Sequence, residues 1–326
     1  MMKKIVLTHR LHEAGMQILE GKAEVKITNN GNPQEILPEL LDADGLIIRI
    51  GSIDRAAIMA AKNLKAIGRP GVGVDNVDLA AATERGIPVV IAPGANTRSV
   101  AEHALTLILA SAKAVLPSDR QTRAGNFNVR NSYKAFEIAG KTLGLIGYGN
   151  IGRELAKMSA AIGFNVMVYD PFVAPAAIEQ AGYQYEADMD RVLAAADAVS
   201  LHVPLTPETR CLINARSLAL MKPNAVLVNC ARGEIVDEAA LFEALANGRL
   251  HSAAADVLST EPVRPDHPLL QLENFLITPH MAGLTQEAAA GVCTMAAEGV
   301  LAVVNGRKWP HVANKEVYDH PDWRDK

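Results

Sequence analysis

The run Gly147-Tyr148-Gly149-Asn150-Ile151-Gly152, with Asp170 standing 18 positions beyond its last glycine, has the residue types and spacing to hold a phosphorylated cofactor. Gly147 permits a tight turn, Gly149 lets backbone approach a pyrophosphate, and Gly152 lets a helix press against a strand. The context completes the pattern. Lys141–Ile146 reads as an apolar strand before the turn, Arg153–Ile162 as a helix after it, and Phe164–Tyr169 as a second strand that delivers Asp170. The helix N-terminus presents N–H groups and the positive end of its dipole to phosphates. Asp170 can accept from a ribose 2′-hydroxyl and repel a 2′-phosphate, and Pro171-Phe172 supplies no arginine for such a phosphate. The expected cofactor is NAD, against the plainer reading of Asp170 as a solvated residue ending a strand.

Three later strands run into loops with reactive side chains. Ala225–Asn229 leads to Cys230-Ala231-Arg232-Gly233, Ala253–Val257 to Leu258-Ser259-Thr260-Glu261-Pro262, and Phe275–Thr278 to Pro279-His280-Met281-Ala282-Gly283. A lone arginine in such a place usually makes a surface ion pair, a glutamate before proline marks a turn, and a histidine is structural. All three at equivalent strand ends, on the side of a parallel sheet where ligands bind, point instead to an acid–base partner and a substrate anchor for the redox cofactor.

The elements that would position them alternate along the chain. Strands are expected at Ile5–Thr8, Val25–Thr28, Gly45–Ile50, Lys65–Gly68 and Pro88–Ile91, and helices at Leu11–Glu20, Pro33–Leu41, Ile53–Lys62 and Leu79–Arg85. A long apolar helix, Arg98–Val115, precedes a polar, loop-rich stretch, Pro117–Lys134. The glycine turn then opens a second alternating series to about Thr278, and a last helix, Gln286–Asn305, leads into a tail containing proline and charge. A dinucleotide domain that starts mid-chain must be inserted in, or appended to, something else, and a final helix left over after its strands favours insertion. The expected fold is α/β with two doubly wound parallel sheets: a Rossmann NAD-binding domain at 99–285, inserted in a flavodoxin-like substrate domain formed by 1–98 and 286–326.

The bulk numbers agree with a soluble α/β enzyme. The chain has 326 residues, enough for two cores, with 49% hydrophobic and only 4% aromatic content. A net charge of −4 gives no electrostatic reason to bind nucleic acid or an acidic membrane. Cys211, Cys230 and Cys293 are widely separated and lack metal-ligand spacing, so no metal is expected and a reducing cytoplasm fits. The basic start Met1–Lys4 turns apolar too briefly for a signal peptide, and the apolar core of the long helix, Ala104–Ala114, is too short to span a bilayer.

Over nearly its whole length the chain resembles the D-isomer-specific 2-hydroxyacid dehydrogenase family, in particular phosphoglycerate dehydrogenases and hydroxypyruvate reductases of the short form that ends without a regulatory domain. The resemblance rests on the glycine turn with Asp170, Asn229–Leu241, Ala255–Pro262, Thr278–Thr285 and Gly68–Asp78. It implies that Arg232, Glu261 and His280 are the catalytic trio. Arg232 would hold the substrate carboxylate and polarise the C2 oxygen, His280 would exchange a proton with that oxygen, and Glu261 would orient His280 and favour its charged form. It also implies cofactor contacts from Asn150, Ile151, Val203, Pro204, Cys230, Ala231 and Gly283, with Asp256 near the nicotinamide carboxamide, and a homodimer, for which the long apolar helix Arg98–Val115 could form an interface. His103 and His202 read as structural.

The substrate is less defined. Arg49-Ile50-Gly51 and Arg69-Pro70-Gly71-Val72-Gly73 both end expected strands. Backbone N–H groups at Val72-Gly73 could hold a carboxylate, and Arg49, Arg69 and Arg130 could meet a second anion. A phosphorylated, sulfonated or neutral 2-hydroxy acid is compatible with these residues. A formate or phosphite dehydrogenase of the same architecture is the alternative enzyme, with Glu261 against the formate branch. An NADH-sensing regulator on this fold is the alternative from another class.

Overall fold

The computed structural model describes residues 2–132 and 134–324. The elements run β1 (Lys3–Leu7), α1 (Glu13–Leu19), β2 (Ala23–Ile27), α2 (Pro33–Leu40), β3 (Gly45–Ile47), α3 (Arg55–Ala60), β4 (Ala66–Gly68), α4 (Leu79–Glu84) and β5 (Val89–Val90). Next come α5 (Thr97–Ala112), α6 (Val115–Arg123), β6 (Thr142–Ile146), α7 (Asn150–Ala161), β7 (Asn165–Tyr169), α8 (Pro175–Glu179), β8 (Gln184–Tyr185), α9 (Met189–Ala195) and β9 (Ala198–Leu201). The chain continues through α10 (Ala215–Leu220), β10 (Val226–Asn229), α11 (Glu238–Ala246), β11 (Ser252–Ala255), β12 (Phe275–Ile277), α12 (Gln286–Val304) and α13 (Pro321–Arg324). Two compact units result: Met1–Asn96 with Leu284–Lys326, and Thr97–Gly283.

In the first unit five parallel strands lie in the flavodoxin-like order β2-β1-β3-β4-β5. Strands β3 and β4 are buried throughout, which is why they appear in the sequence as short apolar runs without alternation. Helix α12 covers one face. A Cβ added to Gly45 or Gly68 would lie 2.9 or 2.6 Å from the side chain of Val300, so the missing side chains let the helix settle onto the sheet. By length and hydropathy α12 could cross a bilayer, but 61% of that stretch is buried inside the protein. The tail is built into this unit. Val312 bridges antiparallel to Val90, Asn314 accepts from the Val89 N–H at 2.8 Å, and the Trp323 indole donates to the Gly86 carbonyl at 2.8 Å.

In the second unit seven parallel strands lie in the order β12-β11-β10-β9-β6-β7-β8, with α5 and α7 contributing to the core on one face and α9, α10 and α11 on the other. The order reverses between β6 and β9. In a doubly wound sheet that reversal opens the crevice where ligands bind. One stretch departs from the sequence expectation. The long helix ends at Ala112, Ala114 takes a left-handed φ of 50°, and the stretch expected to be loop-rich holds α6 and a 3-10 helix, Phe127–Ser132. None of its helical residues is buried, so no apolar period announced the helices. Pro117 falls in the first turn of α6, where its missing N–H breaks no bond.

The seat of α12 on β4 is open to a direct test. Gly68→Val should cost about 1–3 kcal/mol by overpacking, read by chemical denaturation. Wild-type stability would show that the helix does not rest on this strand.

Candidate active site

The glycine turn follows β6, and each glycine has its own steric reason. Gly147 has φ of 100°, and a Cβ there would meet the His202 carbonyl carbon at 2.8 Å. A Cβ at Gly152 would lie 2.4 Å from the Gly147 oxygen, the close helix–strand contact expected of the third glycine. Gly149 is different, since a Cβ there would point into open space with nothing within 4 Å. It is the N-cap of α7, and no side chain caps this helix, leaving the N-terminal turn with Asn150 and Ile151 for an anionic ligand. Asp170 stands beside the turn, accepting from the Tyr148 N–H at 2.7 Å and from Phe172 N–H at 2.8 Å. Val203 and Pro204 leave β9 on the other side of the crevice. His202 pairs with Ser200 at 2.9 Å, and burial pushes its pKa down to about 4, so it is a neutral support for the turn. The open cradle, the uncapped helix end and the nearby carboxylate fit a dinucleotide.

Arg232, Glu261 and His280 follow β10, β11 and β12, three adjacent parallel strands, so the ends of the sheet bring them into one neighbourhood. His280 Nδ1 and Glu261 Oε2 are 2.7 Å apart. This hydrogen bond raises the imidazole pKa above its usual range, outweighing burial, which acts the other way. Burial pushes the Glu261 carboxyl up, but the bond to His280 prevails and the net shift is downward. Arg232 opposes the charging of His280 and favours that of Glu261, which places its charge beside both. Its Nη1 also donates to the Ala231 carbonyl at 2.7 Å, and Asn229 braces the loop by donating to the Arg232 carbonyl at 2.8 Å. Cys230, two residues before Arg232, has a thiol pKa pushed far up by burial.

The turn that carries His280 is held by Asp256. The resemblance implied a place for this residue near the carboxamide; its side chain is 1% exposed and engaged by the neighbouring backbone. It accepts from the Met281 N–H at 2.9 Å, the Ala282 N–H at 2.8 Å and the Thr278 hydroxyl, while its backbone carbonyl takes the His280 N–H at 2.8 Å. These bonds keep His280 at a φ of 52°, an unusual conformation for a residue with a side chain. Gly283 ends the turn. His103, on α5, reaches Thr278 at 2.9 Å and Asp256 at 3.5 Å. It braces the site from α5, the kind of structural place the sequence reading gave it.

The residues expected to choose the substrate divide between the two units. In the first, Arg49-Ile50-Gly51 follows β3 and Arg69–Gly73 follows β4. The Arg69 guanidinium donates to the carbonyls of Gly73 at 3.0 Å, Ile48 at 3.1 Å and Arg49 at 2.8 Å. Through Nε and Nη1 Arg69 thus ties the loop after β3 to the loop after β4. Arg49 and Ile50 are exposed, as is Val72 between Gly71 and Gly73. Gly51 has φ of 96° and lies against Gly31, where a Cβ would come within 2.4 Å of backbone. Arg130 belongs to the second unit, its guanidinium 5.5 Å over the Phe127 ring.

Residues 105–282 match the family described as D-isomer specific 2-hydroxyacid dehydrogenase, NAD binding domain. The chain is 43% identical over 314 residues to the D-3-phosphoglycerate dehydrogenase of Methanocaldococcus jannaschii, covering 96% of this chain but 60% of that protein. It thus spans about 60% of the length of that curated relative. A solved protein of Thermus thermophilus matches with a TM-score of 0.84 and 36% identity, over 95% of this chain and 99% of that one. The NADPH-dependent glyoxylate/hydroxypyruvate reductase of Sinorhizobium meliloti, solved with NADP and malonate, matches at TM-score 0.85 and 26% identity, over 97% and 98%. With its fold, its glycine turn and these likenesses together, the chain belongs to the D-isomer specific 2-hydroxyacid dehydrogenases.

Proposed function

We propose that this chain is an NAD-dependent oxidoreductase that interconverts a D-2-hydroxy acid and its 2-oxo acid. The observation that carries the reading is the Glu261–His280 hydrogen bond of 2.7 Å, set at the strand ends of the same sheet that holds the glycine turn. With the cofactor's pyrophosphate held at that turn, its nicotinamide would supply or accept the hydride at the substrate C2. His280 uses Nδ1 for Glu261, so Nε2 is the nitrogen that gives a proton to the C2 oxygen in reduction and removes it in oxidation. The raised imidazole pKa keeps the charged, proton-donating form available at higher pH than an ordinary histidine would. Arg232 holds the substrate carboxylate through its planar fork and polarises the C2 oxygen. Asp256 keeps the His280 turn in place.

Asp170 supports NAD over NADP, since a carboxylate at this point accepts from the ribose hydroxyls and repels a 2′-phosphate. The substrate class is a small acid of the phosphoglycerate, hydroxypyruvate or glyoxylate type. Backbone N–H groups of Val72-Gly73 and the exposed Arg49 are the groups offered to its anionic parts. Helix α6 and the following 3-10 helix bury none of their residues and expose Val115, Leu116 and Phe127 at 50%, 41% and 67%, which supports pairing with a second copy of the chain. Free Cys211, Cys230 and Cys293 support a cytoplasmic setting.

A panel of hydroxypyruvate, phosphohydroxypyruvate, glyoxylate, pyruvate and sulfopyruvate with NADH tests the reaction. His280→Gln should bind NADH normally and lose about 100- to 10,000-fold in turnover, whereas turnover near wild type would remove His280 from the chemistry. Reduction needs protonated His280, so its rate should fall as pH rises through a midpoint above 6.5, while oxidation rises through the same midpoint. Glu261→Gln should move both midpoints down; an unmoved profile would break the link between the pair and the proton. Asp170→Ala should narrow the preference for NADH over NADPH by about 10- to 100-fold, and an unchanged ratio would mean that another residue selects the cofactor.

A further inference from the structure

One titratable pair close to the trio has no part in the steps above. Glu238 is the first residue of α11, a position that commonly faces water, yet its side chain is only 17% exposed. Its Oε1 accepts the Ser259 N–H at 2.6 Å, and its Oε2 accepts from His267 Nε2 at 3.1 Å. The other ring nitrogen, His267 Nδ1, is buried with no hydrogen-bond partner among the described residues. The bond to Glu238 is therefore the polar contact that orients this ring.

The backbone that Glu238 grips is gripped from a second direction. A Cβ at Gly233 would lie 2.0 Å from the Leu258 carbonyl carbon and 2.2 Å from the Ser259 nitrogen, so the chain beside Arg232 lies directly on this segment. Glu261 follows two residues later, and its Oε1 accepts the Leu258 N–H at 3.3 Å. Leu258-Ser259 is thus pinned against the Arg232 loop on one side and by Glu238 on its N–H. Whatever holds this segment sets where Glu261 can reach.

We propose that Glu238, steadied by His267, is a positioning residue that clamps the Leu258-Ser259 backbone and so fixes Glu261 in hydrogen-bonding register with His280. The proposal rests on the catalytic reading given above for Glu261 and His280, but it can be tested without turnover. The charged groups acting on His280 are Glu261, Asp256 and Arg232, with His103 behind Asp256. Glu238 is not among them, so its effect must pass through position and not through its charge.

The experiment is a pH titration of the full chain with its nine histidines isotopically labelled, His280 being assigned by the signal lost in His280→Gln. In Glu238→Ala the His280 midpoint should fall toward 6.5. Turnover of the preferred 2-oxo acid should drop about 10- to 100-fold, with NADH affinity unchanged. Glu238→Gln, which keeps an oxygen to accept the Ser259 N–H, should restore the midpoint and most of the turnover. His267→Leu should lower the midpoint in the same direction, and it serves as the reading where Glu238→Ala folds poorly. A His280 midpoint unmoved in both Glu238→Ala and His267→Leu overturns the clamp. An equal fall in Glu238→Gln also overturns it, by assigning the effect to charge. A midpoint lowered by these substitutions, in a protein whose wild type turns over no 2-oxo acid, would keep the clamp and discard the proposed reaction.

Discussion

The hydrogen bond between Glu261 and His280 is the contact that the backbone of the second unit has to hold in place. Both side chains are partly open to water, at 39% and 54% exposure, so solvent competes for the bond and a pair of this kind holds little energy of its own. Its geometry has to come from the backbone beneath. Parallel strands β11 and β12, in register from Ala253–Phe275 to Ala255–Ile277, deliver the two loops side by side. Buried Asp256 fixes the His280 turn through Met281 and Ala282, and Gly233 brings the Arg232 loop onto the segment before Glu261. A fragile surface bond is thereby made to behave as a fixed one.

The same economy governs the glycines. At Gly147, Gly152 and Gly233 the distance a Cβ would have from neighbouring backbone is 2.8 Å or less, so each absent side chain permits one chain segment to approach another. Gly149 stands apart because nothing lies over it. Three of these positions are closed by the protein itself, and the fourth opens at the uncapped N-terminus of α7.

Much of this was legible in the chain because it is written in backbone requirements. The glycine turn, its flanking strand and helix, and Asp170 occupy a spacing that few other structures need, and the apolar runs of β3, β4 and β6 mark strands buried in a parallel sheet. The trio could be read because loops after parallel strands end on one edge. The helix α6 could not, since it buries nothing and so has no apolar period. Nor could the folded tail, where Asn314 and Trp323 act through contacts with Ile87, Val89 and Gly86 more than two hundred residues away in sequence. The bracing pairs around the site were hidden for a similar reason: His103 and Glu238 acquire meaning only when Thr278 and Ser259 are placed against them.

Arg69 shows why side-chain destinations are harder to read than strand ends. A guanidinium after a strand looks the same in sequence whether it faces a substrate anion or the carbonyls of its own loops. The number of acceptors within reach decides between them, and three carbonyls surround this one. These bonds use Nε and Nη1, and releasing the one to the carbonyl of buried Ile48 would leave that acceptor unsatisfied at a cost of about 1–3 kcal/mol. Arg49, in the same pair of loops, has its backbone N–H held by the Thr8 hydroxyl at 3.1 Å while its side chain stays exposed.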